Sequence, residues 1–144
     1  MVNRRAVLAG GGAALLGSAA VWGISRPAQA ETELTPPQAR EAALAGEIVL
    51  VDIRRPDEWS ATGVAEGAVP LDMRQDDFVE RLRAAASGRP VAVICAGGVR
   101  SRRVTERLSE AGVQNVIDVP EGMLGSRAGP GWIERGLPVV QVSQ

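Results

Sequence analysis

The chain holds a single cysteine, Cys95, and the residues around it are those of a chemical site. Val91-Ala92-Val93-Ile94-Cys95 is a short apolar run of the kind that forms a buried parallel strand, here ending on sulfur. Ala96-Gly97-Gly98-Val99-Arg100 follows, and Ser101 opens a stretch with helical patterning. A thiol at a strand's carboxyl end, a glycine-bearing loop and a helix N-terminus together make an anion-binding nest. Such a setting suits a thiolate acting on a small anion.

What is missing narrows the chemistry further. The 144 residues contain no His, and neither Lys nor Tyr occurs among them. A Cys-His hydrolase lacks its base, and a Schiff-base enzyme or a phosphate-binding P-loop lacks its lysine. No Cys/His metal cluster can be built, which leaves only carboxylate sites open to a metal, and the expectation is no cofactor and no metal. Activation of Cys95 falls to backbone N–H groups, a helix dipole and arginine.

The elements that position Cys95 can be read from periodicity. Thr35 as N-cap with Pro36 at the first helical position starts a helix that Gly46 stops. Glu31 to Leu34 reads as a short edge strand before it. Ile48-Val49-Leu50-Val51 is a strand leading to Asp52, Ile53 and Arg54, and Arg55-Pro56-Asp57-Glu58-Trp59 turns into a short helix. Gly63 and Gly67 mark a loop before a short strand, Ala68 to Leu71. Phe78, Val79, Leu82 and Ala86 share a helix face within residues 76–86. Helix 101–111 follows the Cys95 loop, then strand 115–119, a glycine-rich loop from Pro120 to Gly131, and a turn or helix around Trp132. Strands alternating with helices predict one α/β domain, a parallel sheet with helices on both faces. Ligands bind beyond the carboxyl ends of such strands, where Cys95 stands.

The first thirty residues read differently. Arg4-Arg5 precedes a mildly apolar stretch from Ala6 to Ile24 that five glycines dilute, and Ala28-Gln29-Ala30 has the small-x-small form of a cleavage site. This resembles a bacterial twin-arginine (Tat) export signal, cleaved after Ala30. The expectation is a signal peptide over residues 1–30, a domain over 31–144, periplasmic location, and no stable membrane span after cleavage. Arg4, Arg5 and Arg26 lie in that segment, so the 114 residues after it carry 13 Arg against 17 Asp and Glu, a net charge near −4. That balance argues against a nucleic-acid partner.

Three segments together resemble the rhodanese (sulfurtransferase) family. Val51-Asp52-Ile53-Arg54, with Glu58-Trp59, Gly63 and Gly67-Ala68, is similar to its early signature. Cys95-Ala96-Gly97-Gly98-Val99-Arg100-Ser101 is similar to its active-site loop of form C-x-x-G-x-R-S. Glu121-Gly122-Met123, Trp132 and Gly136-Leu137-Pro138-Val139 are similar to its C-terminal signature. Two departures stand out: Val64 replaces a histidine the family often carries there, and the segment 124–131 is longer than usual, an expected rim beside the pocket. The resemblance implies the rhodanese-like three-layer α/β fold and a double displacement at sulfur. Cys95 would take a sulfane sulfur from thiosulfate or a persulfide and pass it to cyanide or a thiol. Ala96, Gly97, Gly98, Val99 and Arg100 would hold the anionic sulfur, as an oxyanion hole holds oxygen. Relatives that act on phosphate or arsenate have a longer loop, C-x5-R. Here four residues separate Cys95 from Arg100, which favours sulfur over a tetrahedral oxyanion.

Each residue also has a plainer role. Cysteine at a strand's end is ordinarily a small core hydrophobe. Arg100 either binds an anionic donor or pairs with a carboxylate, and the two are compatible. Asp52 and Arg54 either line the pocket or pair with each other. Arg102, Arg103 and Arg107 suggest an electropositive entrance, or simply a solvated helix face. Trp59 and Trp132 read as core anchors. An exposed Cys95 would be open to oxidation. The rival to a turning-over enzyme is a sulfur-carrier or partner-binding module with little turnover on free thiosulfate. Tat export, a route for folded proteins, adds a periplasmic redox protein as a candidate partner.

Overall fold

The computed structural model describes residues 32–142. The export signal expected over 1–30, with its cut after Ala30, lies outside them. The order of elements is α1 (Pro36–Leu44), β1 (Val49–Asp52), α2 (Pro56–Thr62), β2 (Val64–Ala65), β3 (Ala68–Pro70), α3 (Phe78–Ala86), β4 (Val91–Ile94), α4 (Val99–Glu110), β5 (Val116–Asp118), α5 (Gly131–Glu134) and β6 (Val139–Val140). Among these elements no helix is long and apolar enough to cross a membrane.

Four strands form a parallel sheet in the order β3-β1-β4-β5. Side chains alternate between its faces, and both faces are covered. Val49, Val51, Val91, Val93 and Cys95 pack with Phe78 and Leu82 of α3 and Val104 and Leu108 of α4. Leu50, Ala92 and Ile94 pack on the other side with Ala39 of α1 and Trp132 of α5. Burial on both faces explains why β1 and β4 read as unbroken apolar runs. This is the doubly covered α/β sheet that the sequence predicts.

Local signals set the helix ends. The Thr35 N–H donates to Gln38 Oε1 at 2.9 Å, closing the first turn of α1, and Gly46 ends it at φ +76°. Three details differ from the sequence reading. The strand expected at 31–34 is a single bridge, Glu33 to Asp118, because Pro36 already begins a helix. Val64–Ala65 and Val139–Val140, read as loop and tail, pair antiparallel in a two-stranded sheet of their own. Helix α4 starts at Val99 rather than Ser101, so its first turn lies within the loop after Cys95.

The segments that leave β4 and β5 are pressed together, and only glycine permits it. A Cβ on Gly122, whose φ is +69°, would lie 2.4 Å from the Ala96 carbonyl oxygen. A Cβ on Gly98 would lie 2.1 Å from that of Pro120. This close approach lets the Met123 and Leu124 N–H groups donate to the Cys95 and Ala96 carbonyls, each at 2.8 Å. Replacing Gly122 by alanine therefore carries both a left-handed backbone penalty, ~1–3 kcal/mol, and a steric one. Urea denaturation of Gly122→Ala is expected to show a loss of about 2 kcal/mol or more; an unchanged midpoint would show that the two loops are free to separate.

Candidate active site

Cys95 is the first residue after β4, carried over the carboxyl end of the sheet and only 1% exposed. Its Sγ accepts the Gly98 N–H at 3.1 Å and the Ser101 N–H at 3.4 Å. Gly98 is the N-cap of α4 at φ +82°, a left-handed turn that brings the chain back so that the helix's first turn meets the sulfur. The Ser101 hydroxyl donates to the Gly98 carbonyl at 3.2 Å and braces that turn. The sulfur thus sits at the positive end of a twelve-residue helix, with two N–H groups directed at it.

Of the five loop residues expected to hold anionic sulfur, Gly98 is the one whose N–H reaches Sγ. The second donor, Ser101, lies just outside that set, as the last residue of the loop motif and the expected start of the helix. Its place in C-x-x-G-x-R-S was the available signal: once α4 begins at Val99, Ser101 lies in the first turn with its amide turned toward the loop. The N–H groups of Ala96, Gly97, Val99 and Arg100 have no acceptor among the described residues.

Arg100 is paired. Its Nη1 and Nη2 donate to the two carboxylate oxygens of Glu58 on α2 at 2.8 and 2.6 Å, a two-pronged bond. Glu58 also accepts the Arg55 N–H at 3.0 Å, tying the start of α2 to the same carboxylate. The Arg100 guanidinium holds the Glu58 carboxyl down at about 2, against a burial effect that pushes it up.

Asp52 and Arg54 pair with each other, one of the two roles the sequence leaves open to them. Arg54 is 1% exposed, and its guanidinium binds Asp52 through Nε and Nη2, the latter at 2.8 Å. Nη1 donates to the Thr62 hydroxyl at 2.8 Å and Nη2 to the Gly63 carbonyl at 2.7 Å. A buried guanidinium must find acceptors all round, and here they pin the end of α2 to β1. The remaining arginines divide between two places. Arg102, Arg103 and Arg107 lie exposed on α4. Arg55, Met73, Arg74 and Arg100 instead line a cavity of about 370 Å³. Arg55 and Arg74 went unnoticed in the sequence, although each follows a strand that ends beside β4 or next to its neighbour. Cys95 itself is buried rather than exposed, which corrects the expectation of an exposed thiol.

The segment 124–131 abuts the Cys95 loop. The Gly125 carbonyl would be 3.6 Å from a Cβ on Gly97, and Leu124 is exposed next to Ala96. Glu121 anchors the segment's far end, accepting the Gly131 N–H at 3.0 Å and two Arg135 donors. Among the described residues, no three His, Cys, Asp or Glu side chains converge as a metal site.

A family model described as a rhodanese-like domain matches residues 35–127. The chain belongs to this family. Within it, the rhodanese-like domain is 32% identical over 108 residues to thiosulfate sulfurtransferase GlpE of Actinobacillus succinogenes, covering 75% of this chain and 89% of that one. It is similar to the crystal structure of Rv0390 from M. tuberculosis, with a TM-score of 0.60, 32% identity and coverage of 76% and 97%. It is also 36% identical over 95 residues to a tRNA uridine(34) hydroxylase of Deinococcus radiodurans; that match takes in 61% of this chain but spans only 31% of the relative's length.

The Glu58–Arg100 pair makes stability depend on pH in a defined direction. Glu58 titrates at about 2 in the fold and near 4.5 when unfolded, so its contribution is complete above about pH 4.5 and drains away as pH falls toward 2. Asp72 and Glu121 are held low by Arg74 and Arg135 and act in the same sense. Urea titrations at pH 5, 4 and 3 are expected to show a shallower acid loss in Glu58→Gln than in the parent; equal slopes would mean that the pair contributes nothing to the folded state.

Proposed function

We propose that this rhodanese-like domain is a sulfurtransferase working through a Cys95 persulfide. The observation that carries the reading is the Cys95 sulfur receiving two backbone N–H groups at the mouth of the sheet. In the first half-reaction the Cys95 thiolate attacks the outer sulfur of thiosulfate. A sulfur–sulfur bond forms to Cys95, the one to the sulfonate sulfur breaks, and sulfite leaves with the electron pair. Cyanide then attacks the terminal sulfur of the persulfide and departs as thiocyanate, returning Cys95 to the thiolate. A thiolate acceptor would leave as a persulfide in the same way. Neither displacement needs proton transfer from the protein, which accords with a chain lacking His, Lys and Tyr.

Fixed N–H dipoles stabilise the charge that remains on sulfur throughout. The unpaired Ala96, Gly97, Val99 and Arg100 amides supply further donors for the added sulfur atom. Relatedness to a thiosulfate sulfurtransferase supports thiosulfate as one donor. The Arg4-Arg5 pattern and Ala28-Gln29-Ala30 support export by the Tat route, with the domain at work in the periplasm, where a redox protein is a fitting partner for the acceptor half.

Intact mass spectrometry tests the chemistry. Thiosulfate or a persulfide donor is expected to add one sulfur atom, about 32 Da, that cyanide removes and that Cys95→Ser never gains. Loading without repeated thiocyanate formation would favour the sulfur-carrier alternative over a turning-over enzyme. No gain from any donor, with Cys95 reduced, would overturn the sulfurtransferase reading altogether.

A further inference from the structure

We infer that Asp118, which no motif singles out, is a positioning residue for Cys95: its carboxyl acts through the Ser101 hydroxyl on the turn that holds the sulfur. This rests on Cys95 as the nucleophile of the sulfurtransferase reading and deepens it by adding a group that sets how well the site carries negative charge. Sheet parity places Asp118 there. It is the last residue of β5 and stands in register with Val93 of β4. Val93 and Val116 pack on the face that α4 covers, while Ile117 packs on the other. Alternation therefore puts Asp118 on the α4 face, which it shares with Cys95, two residues beyond Val93. Asp118 is the diagonal neighbour of the nucleophile.

The surroundings make that carboxyl responsive. Asp118 is 5% exposed, and its Oδ1 has no hydrogen-bond partner among the described residues. The charged groups that face it are Glu33, on the segment bridged to β5, and Arg102 on α4. Its register partner on β4, Val93, is apolar. Burial pushes the carboxyl above its ordinary value, and Glu33 acts in the same sense. A hydrogen bond from the Ser101 side chain, the Arg102 charge and the Val119 N–H pull the other way without cancelling the effect of burial.

Ser101 is fully buried, and its hydroxyl has a single proton to give. In the structure that proton serves the Gly98 carbonyl at 3.2 Å, the bond that braces the turn beneath Cys95. With Asp118 protonated, the acid donates to the Ser101 oxygen and the chain of bonds runs on to Gly98. With Asp118 ionised, its proton gone to water, the buried carboxylate lacks a donor and draws the Ser101 hydroxyl away from Gly98. A negative charge then also stands on the sulfur's own face of the sheet. Both effects oppose an anion on Cys95, thiolate or persulfide alike. Protonated Asp118 supports the site and ionised Asp118 slows it.

The experiment follows alkylation of Cys95 by iodoacetamide across pH in the reduced full chain, where it is the only thiol. Asp118→Asn keeps the shape, donates to Ser101 as the protonated acid does, and cannot ionise. The ratio of its rate to the parent's is expected to lie close to one in acid and to reach about threefold at neutral pH, the scale of a modest like-charge repulsion. A ratio that stays constant with pH, or drops below one at neutral pH, would overturn the inference, since a purely structural role for Asp118 gives one or the other. Should the variant not fold, NMR titration of the Asp118 carboxyl carbon compares the parent with Ser101→Ala. Loss of the hydroxyl is expected to move the midpoint up, and an unmoved midpoint would break the link through Ser101. Alkylation needs no sulfur donor, so failure to load sulfur would strike the sulfurtransferase reading and not this pH profile.

Discussion

Everything at the site depends on how tightly the backbone leaving β4 is held. The carbonyls of Cys95 and Ala96 are bonded by the N–H groups of Met123 and Leu124, and glycines at 98 and 122 allow the two chains to touch. Were that contact looser, the left-handed turn at Gly98 would have nothing to close against. The first amides of α4 would then point at solvent rather than at sulfur. Preorganisation of this kind places the cost of aligning dipoles in folding, before any substrate arrives.

The arginines around the mouth divide by depth into two roles. Arg54 is buried and fully bonded, and it holds α2 against β1. Arg100 is half-buried and ties the Cys95 loop to the same helix through Glu58. Arg55 and Arg74 stand further out with donors to spare. A helix of seven residues, α2, is thereby fixed from two sides, by the Arg54 hydrogen bonds to Thr62 and Gly63 and by the Arg100–Glu58 ion pair. Because surface pairs contribute little and buried ones cannot lose a partner without penalty, the inner pair sets the framework.

The parallel sheet, the doubly covered strands and the place of Cys95 were legible in the sequence because apolar runs and helix stops are local signals. The C-terminal signature was legible only as a pattern; the structure gives its reason, since Glu121-Gly122-Met123 anchors the neighbouring loops and clasps the Cys95 backbone. Pairings between distant residues were not legible. Nothing near Arg100 names Glu58 as its partner, and Asp52-Ile53-Arg54 leaves open whether the charges face outward or each other. The strand pair Val64–Ala65 with Val139–Val140 is too short for a periodic signal and exists only through its register. Arg55 and Arg74 carry no local signal of their own, since only the fold brings their loops together with Arg100.

The sheet's alternation bears on how this chain can vary over time. Cys95 shares a face with Val91 and Val93, while Ala92 and Ile94 look the other way. Exchanges among apolar residues in β4 keep that parity, so the strand can drift in composition while the sulfur keeps its address. Gaining or losing one residue ahead of Cys95 would turn the sulfur toward α1 and α5, on the far side from α4's amides. Lineages descending from such a chain should therefore tolerate substitution in β4 far more readily than changes in its length.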